Sequence, residues 1–126
     1  MAWMQTNKNP MGKQVGDCVV RAIATATGKP WHDVYADLTL QGYLMCDMPS
    51  ANAVWGAYLK LLGFRRYMIP NTCPDCYNLQ SFCADHPHGV YLAAFGTHVA
   101  AVIDGDYYDT WDSGQETPIY YFAKEA

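Results

Sequence analysis

No apolar stretch of this chain approaches the ~20 residues needed to cross a bilayer. The N-terminal stretch MAWMQTNKNPMGKQ is polar and lacks the apolar block of a secretory signal. Basic residues are scarce: Lys and Arg total eight, and their longest run is Arg65-Arg66. With a formal net charge of −4, the chain argues against nucleic-acid binding and against a membrane surface. It contains no internal repeat and no low-complexity tract. The cysteines, Cys18, Cys46, Cys73, Cys76 and Cys83, are odd in number, which favours a reducing compartment over a disulfide framework. The expectation is a cytoplasmic protein.

What remains suits one folded unit. The chain has 126 residues, 51% hydrophobic and only 16% charged, so it has material for a core and too little charge for a disordered segment. A single domain over residues 1–126 is expected. Residues 1–16 read as irregular, punctuated by Asn7, Asn9, Pro10, Gly12 and Gly16. Asp17 is a candidate N-cap for an apolar helix, CVVRAIATAT, that stops at Gly28. Pro30 suits the start of a second helix, ending near Gly42. Residues 43–49 read as a loop, and Ser50 as the cap of a third helix closed by Gly63, with Val54, Ala57, Tyr58, Leu61 and Leu62 on its apolar face. FRRYMI suggests a short strand and YNLQSFCAD a short fourth helix. VYLAAF, HVAAVI, DYYDTW and IYYF then read as strands. Helices followed by an antiparallel sheet make an α+β chain.

The chemistry concentrates in GTHVAAVIDGDYYDTWDSG, residues 96–114. Asp104-Gly105 between apolar runs is a strong hairpin signal. With those two as the loop, Ile103 faces Asp106, Ala100 faces Asp109 and His98 faces Trp111. Alternation then puts His98, Asp109 and Trp111 on one face and Asp112 on the other, while a one-residue bulge would favour Asp112 instead. A histidine oriented by a carboxylate is half of a nucleophilic device. Cys18 is the candidate nucleophile, because the N–H groups and dipole of a helix N-terminus favour thiolate. Taken singly, each residue has an ordinary explanation: a buried small thiol, a strand-edge histidine, turn carboxylates, a core tryptophan. Their combination carries the signal.

In that order, GDC before an apolar helix, HVAAV as a histidine strand and DTWD as an Asp-x-Trp element, the chain resembles papain-like cysteine peptidases, and the small papain-fold proteins of bacteria and their phages. The resemblance implies a papain-like α+β domain, with a nucleophile helix packed on an antiparallel sheet. It also implies a cysteine hydrolase of peptidase or isopeptidase type, working through a thioester acyl-enzyme on a protein or peptide substrate. Cys18, His98 and Asp109 would form the triad, with Trp111 and Asp112 in support. The family's oxyanion glutamine precedes its cysteine by six residues; here that place is Gly12, and Gln14 is the nearest glutamine, with Asn9 as an alternative.

Two other readings belong to different classes. One is a papain-fold binding module without catalysis. The other is a zinc-stabilised interaction domain, since Cys73-x2-Cys76 followed by Cys83 and His86 has the donor types of a tetrahedral site. The ordinary explanation of that cluster is a Cys83 packed in a helix and a HPHG turn. No cofactor is otherwise required. The ten tyrosines fit strand propensity better than a stacking surface.

Overall fold

The computed structural model describes residues 2–70 and 77–125. In chain order the elements are β1 (Trp3–Gln5), α1 (Cys18–Thr27), α2 (Trp31–Met45), α3 (Asn52–Leu61), β2 (Phe64–Met68), α4 (Leu79–Asp85), β3 (Val90–Ala94), β4 (Val99–Ile103), β5 (Asp106–Asp109) and β6 (Tyr120–Lys124). The strands form one six-stranded sheet in the order β1-β5-β4-β3-β6-β2. The architecture is α+β.

The sheet is mixed, where the sequence suggests an antiparallel one. The N-terminal stretch that reads as irregular contains β1, which pairs parallel to β5 with Trp3 opposite Tyr107 and Gln5 opposite Asp109. A three-residue strand has no periodicity to detect, and only its partner makes it a strand. Helix α2 also runs past Gly42 to Met45 before Cys46 closes it in the left-handed conformation. Gly42 is not a stop signal. A Cβ there would lie 2.7 Å from the Asp47 carbonyl oxygen, so its role is to let the 47–49 backbone pass close to the helix. Helix α3 starts after Ala51 without a side-chain cap, where Ser50 is the sequence candidate. Its buried face is Val54, Trp55, Tyr58 and Leu59, and Leu61 is exposed rather than packed.

Two apolar clusters explain why the central strands are so unbroken in their hydrophobicity. On one face Leu92, Ala94, Val99 and Phe122 pack with α1, α2 and α3 through Ile23, Leu38, Trp55 and Leu59. On the other Ala93, Ala100, Val102 and Tyr107 pack with Leu79, Phe82 and Cys83 of α4. Alternate residues of β3 and β4 thus face opposite layers, and both faces are buried. Helix α1 is apolar because it lies in this sandwich against β4 and α2. Gly28 ends it with φ 75° and an N–H bonded to the Ala24 carbonyl.

The β4–β5 hairpin has Ile103 opposite Asp106 and Ala101 opposite Tyr108. Asp104 and Gly105 both have positive φ, 49° and 82°, as a two-residue type I′ turn needs. Asp104 is held there by its carboxylate, which accepts the Gly89 N–H at 2.9 Å.

Candidate active site

Cys18 is the first residue of α1, and His98 stands immediately before β4, whose far partner β5 ends on Asp109. The hairpin register and the packing of α1 across β4 therefore bring three residues from distant parts of the chain to one end of the sheet. His98 Nε2 is 2.6 Å from Asp109 Oδ2. That leaves Nδ1 for the Cys18 thiol, with which the ring interacts favourably. The Val99 backbone N–H also favours the charged form of the thiol.

These contacts set the protonation states. Burial pushes the Cys18 thiol up, but the His98 ring, the Val99 N–H and the Arg21 guanidinium outweigh it and hold the thiol below its ordinary value. Burial likewise pushes His98 down, and its bonds to Asp109 and Cys18 reverse this and raise it to about 9. The two shifts bias the pair toward thiolate and imidazolium.

Asp109 is nearly inaccessible and fully engaged. Its Oδ2 also accepts the buried Ser113 hydroxyl at 2.7 Å, and its Oδ1 accepts the Thr110 N–H at 2.9 Å. Its carbonyl oxygen accepts the Thr6 N–H and the Trp3 indole, so β1 clamps the backbone that carries the carboxylate. Trp111 lies against the open side of the imidazole, ring centroids 5.3 Å apart, and remains exposed. Phe95 stacks on the same ring at 5.9 Å. Asp112 does not reach His98; it accepts the Tyr107 hydroxyl and the Gly114 N–H and fixes the turn after β5.

Asp17 stands at the N-cap position, but its carboxylate does not cap the helix. It turns aside to accept Arg21 Nε at 2.8 Å, Trp31 Nε1 at 3.0 Å and Asn9 Nδ2 at 3.2 Å. This has two consequences for Cys18. The negative charge beside Cys18 is neutralised by Arg21, and the N–H groups of the first helical turn are left for another acceptor. Arg21 also reaches Thr110 Oγ1 at 3.3 Å and approaches Asp109 Oδ1 at 3.7 Å. It therefore ties α1 to the strand that bears the Asp109 carboxylate. A charged residue in the otherwise apolar CVVRAIATAT, at i+4 from Asp17, was a visible signal for this role. Ser113 and Trp31 gave none.

Gln14 is exposed on the loop before α1 and is not among the residues lining the cavity at Cys18. Asn9 is buried, and its side chain accepts the Met11 and Lys13 N–H groups, so it folds the loop. The cavity has a volume near 270 Å³ and lies between Cys18, His98, Thr97, Asn52, Trp55 and Tyr120.

Of the zinc candidates, Cys73 and Cys76 lie outside the described residues. Cys83 is buried on the inner face of α4, its thiol pushed up to about 11 by burial. His86 uses Nδ1 on the Phe82 carbonyl and stacks on the Phe82 ring. Among the described residues no group of three or more His, Cys, Asp or Glu is placed to hold a metal ion, and no helix is long and apolar enough to cross a membrane.

The fold and this site define an α+β protein in which a cysteine at a helix start stands with a histidine backed by a buried carboxylate. No protein-family model, curated protein or solved structure matches the chain.

Proposed function

We propose that this protein is a papain-like cysteine hydrolase of peptidase or isopeptidase type, a single catalytic domain acting on a protein or peptide substrate. The observation that carries the reading is the run of contacts from Cys18 through His98 to Asp109, with the thiol lowered and the imidazole raised. A structural cysteine in a core has its thiol raised, as Cys83 does.

The Cys18 thiolate attacks the substrate carbonyl carbon, and the carbonyl electron pair moves onto oxygen. The Cys18 backbone N–H, at the uncapped helix start, donates to that oxyanion. The tetrahedral species collapses as His98 gives its proton to the leaving amine, leaving a thioester on Cys18. Neutral His98 then takes a proton from water, whose oxygen attacks the thioester, and thiolate and imidazolium are restored. Asp109 holds the ring in one orientation throughout and stabilises its charge. With Gln14 away from the cavity, the backbone carries the oxyanion, and one fewer donor costs roughly 3 kcal/mol of transition-state stabilisation.

The test is incubation with a mixed peptide library, read by mass spectrometry, with Cys18→Ala as control. Cleavage by the wild type alone is expected, with a mass adduct on Cys18 under acid quench. A wild type no more active than Cys18→Ala, whose Cys18 alkylates like an ordinary thiol, overturns the reading.

A further inference from the structure

Helix α4 and the β6–β2 edge of the sheet enclose another cavity, of volume near 340 Å³, within the range of roughly 300–1,000 Å³ usual for ligand sites. It lies on the α4 side of the sheet and shares no lining residue with the Cys18 cavity. Asn78 caps α4 by accepting the Ser81 N–H at 2.9 Å, and so fixes Tyr77 just before the helix and Asp85 and His86 at its far end. The partly exposed rings of Tyr77, His86 and Tyr121 are its aromatic walls. The His86 and Tyr121 centroids are 5.2 Å apart with their planes at 60°, so these two rings form a corner. Phe82, fully buried, stacks behind His86 at 4.0 Å and meets Tyr121 edge to face at 4.9 Å. His86 Nδ1 contacts the Phe82 carbonyl at 2.8 Å, which fixes the ring. The exposed Asp85 brings a carboxylate, whose Oδ2 accepts the Tyr77 hydroxyl at 3.0 Å. Among the described residues no lysine or arginine lines the cavity.

Elsewhere on this edge rings and cations are matched within the chain. Arg65 lies over Tyr67 at 5.5 Å, Arg66 over Tyr120 at 4.2 Å and Lys124 over Phe64 at 5.5 Å. Arg65 shares the cavity's side of the sheet by strand alternation, but it is held over Tyr67, whose hydroxyl is donated to Glu125 at 2.6 Å. The rings of the cavity have no such cation among the described residues.

Rings grouped beside a carboxylate attract a positive group through the negative potential of their π faces. Hydrogen bonding selects the kind of cation. A primary ammonium or a guanidinium brings several N–H donors, and burying them against rings and the apolar Met68 and Ile69 leaves most of them unpaired. A quaternary ammonium spreads the same charge over methyl groups and has no donor to satisfy.

We propose that this cavity is a cage for a methylated ammonium group, with Tyr77, His86 and Tyr121 as its walls and Asp85 as its counter-charge. A free quaternary amine and a trimethyllysine side chain on a protein present the same head group, and the experiment separates them. The proposal does not depend on the hydrolase reading.

The test titrates the full-length protein with paired probes, read by calorimetry and by shifts of the Phe82 and His86 ring protons. Choline is compared with 3,3-dimethylbutanol, its uncharged isostere, and N-acetyl-trimethyllysine amide with the analogue in which carbon replaces the ammonium nitrogen. In at least one pair the cation is expected to bind about tenfold more tightly or better than its isostere. Asp85→Asn and Tyr77→Leu, both outside the Cys18 site, are each expected to lower that preference about threefold or more. Tighter binding of choline identifies a free amine as the occupant, and tighter binding of the lysine derivative a methylated protein. Equal affinity of cation and isostere in both pairs, no binding of any probe, or a preference unchanged in both variants overturns the proposal.

Discussion

His98 Nε2 and Asp109 Oδ2 lie 2.6 Å apart, a charge-assisted contact between a residue that precedes β4 and one that ends β5. Each end of it is fixed independently: the carboxylate by Ser113 and Thr110, and the ring by Cys18, Phe95 and Trp111.

Because the Cys18 thiol is held low and Cys46 is an exposed free cysteine, the two give an internal comparison. At about pH 6 iodoacetamide should label Cys18 about tenfold or more faster than Cys46, since the thiolate is the reacting form. His98→Ala should bring Cys18 down to the Cys46 rate. Peptide mapping after timed quenching measures both.

Stability should depend on pH through the same pair. The folded His98 value of about 9 lies above its ordinary 6.5, so its contribution is complete below about pH 6.5 and is lost as pH rises through about 9. The folded Cys18 value lies below 9.0, so its thiolate contributes above that pH and loses its contribution as pH falls through the lowered value. Thermal melts of wild type and His98→Gln should therefore converge between about pH 7 and pH 10. A gap that stays constant across this range would contradict the assignment.

Asp109→Asn should return the His98 titration toward its ordinary value, read by NMR of the imidazole protons, and lower kcat about a hundredfold or more. Ser113→Ala removes one donor from a buried carboxylate and should cost about 2 kcal/mol in denaturant melts. It should leave most of the His98 shift in place, because Asp109 keeps its charge.

Arg21→Met removes the partner of one buried carboxylate and a near neighbour of another. The expected loss is about 3 kcal/mol, by urea unfolding. The acid limb of Cys18 alkylation should also move to higher pH, because Arg21 is one of the charges holding the thiol low. Arg21→Lys should restore part of both.

Gly42→Ala tests the fold away from the site. The added methyl meets the Asp47 carbonyl at 2.7 Å, so the 47–49 segment must shift, at a cost of about 2 kcal/mol. Reactivity of Cys18 should be unchanged.

The hairpin was readable because its information is local. Asp-Gly specifies the turn, the turn specifies the register, and alternation then sorts His98 and Asp109 from Asp112. The start of α1 at Cys18 was readable for the same reason, from a break, an apolar run and Gly28. Residues 1–16 were not, because β1 exists only through its pairing with β5. Asp17 does occupy the N-cap position, as propensity suggests, but Arg21 and Trp31 compete for its carboxylate and win. Leu61 was misplaced because helical spacing alone does not say which of two adjacent apolar stripes faces the sheet.

By itself the sequence determined an α+β chain, a two-residue hairpin turn and the candidates Cys18, His98 and Asp109, all matters of short-range pattern. Tertiary structure alone decided that Cys18 meets His98, that Asp17 is neutralised rather than capping, and that an apolar cleft opens beside Cys18. Each of these depends on how α1 lies across β4 and α2. Such contacts join residues far apart in the chain, and no local periodicity encodes them.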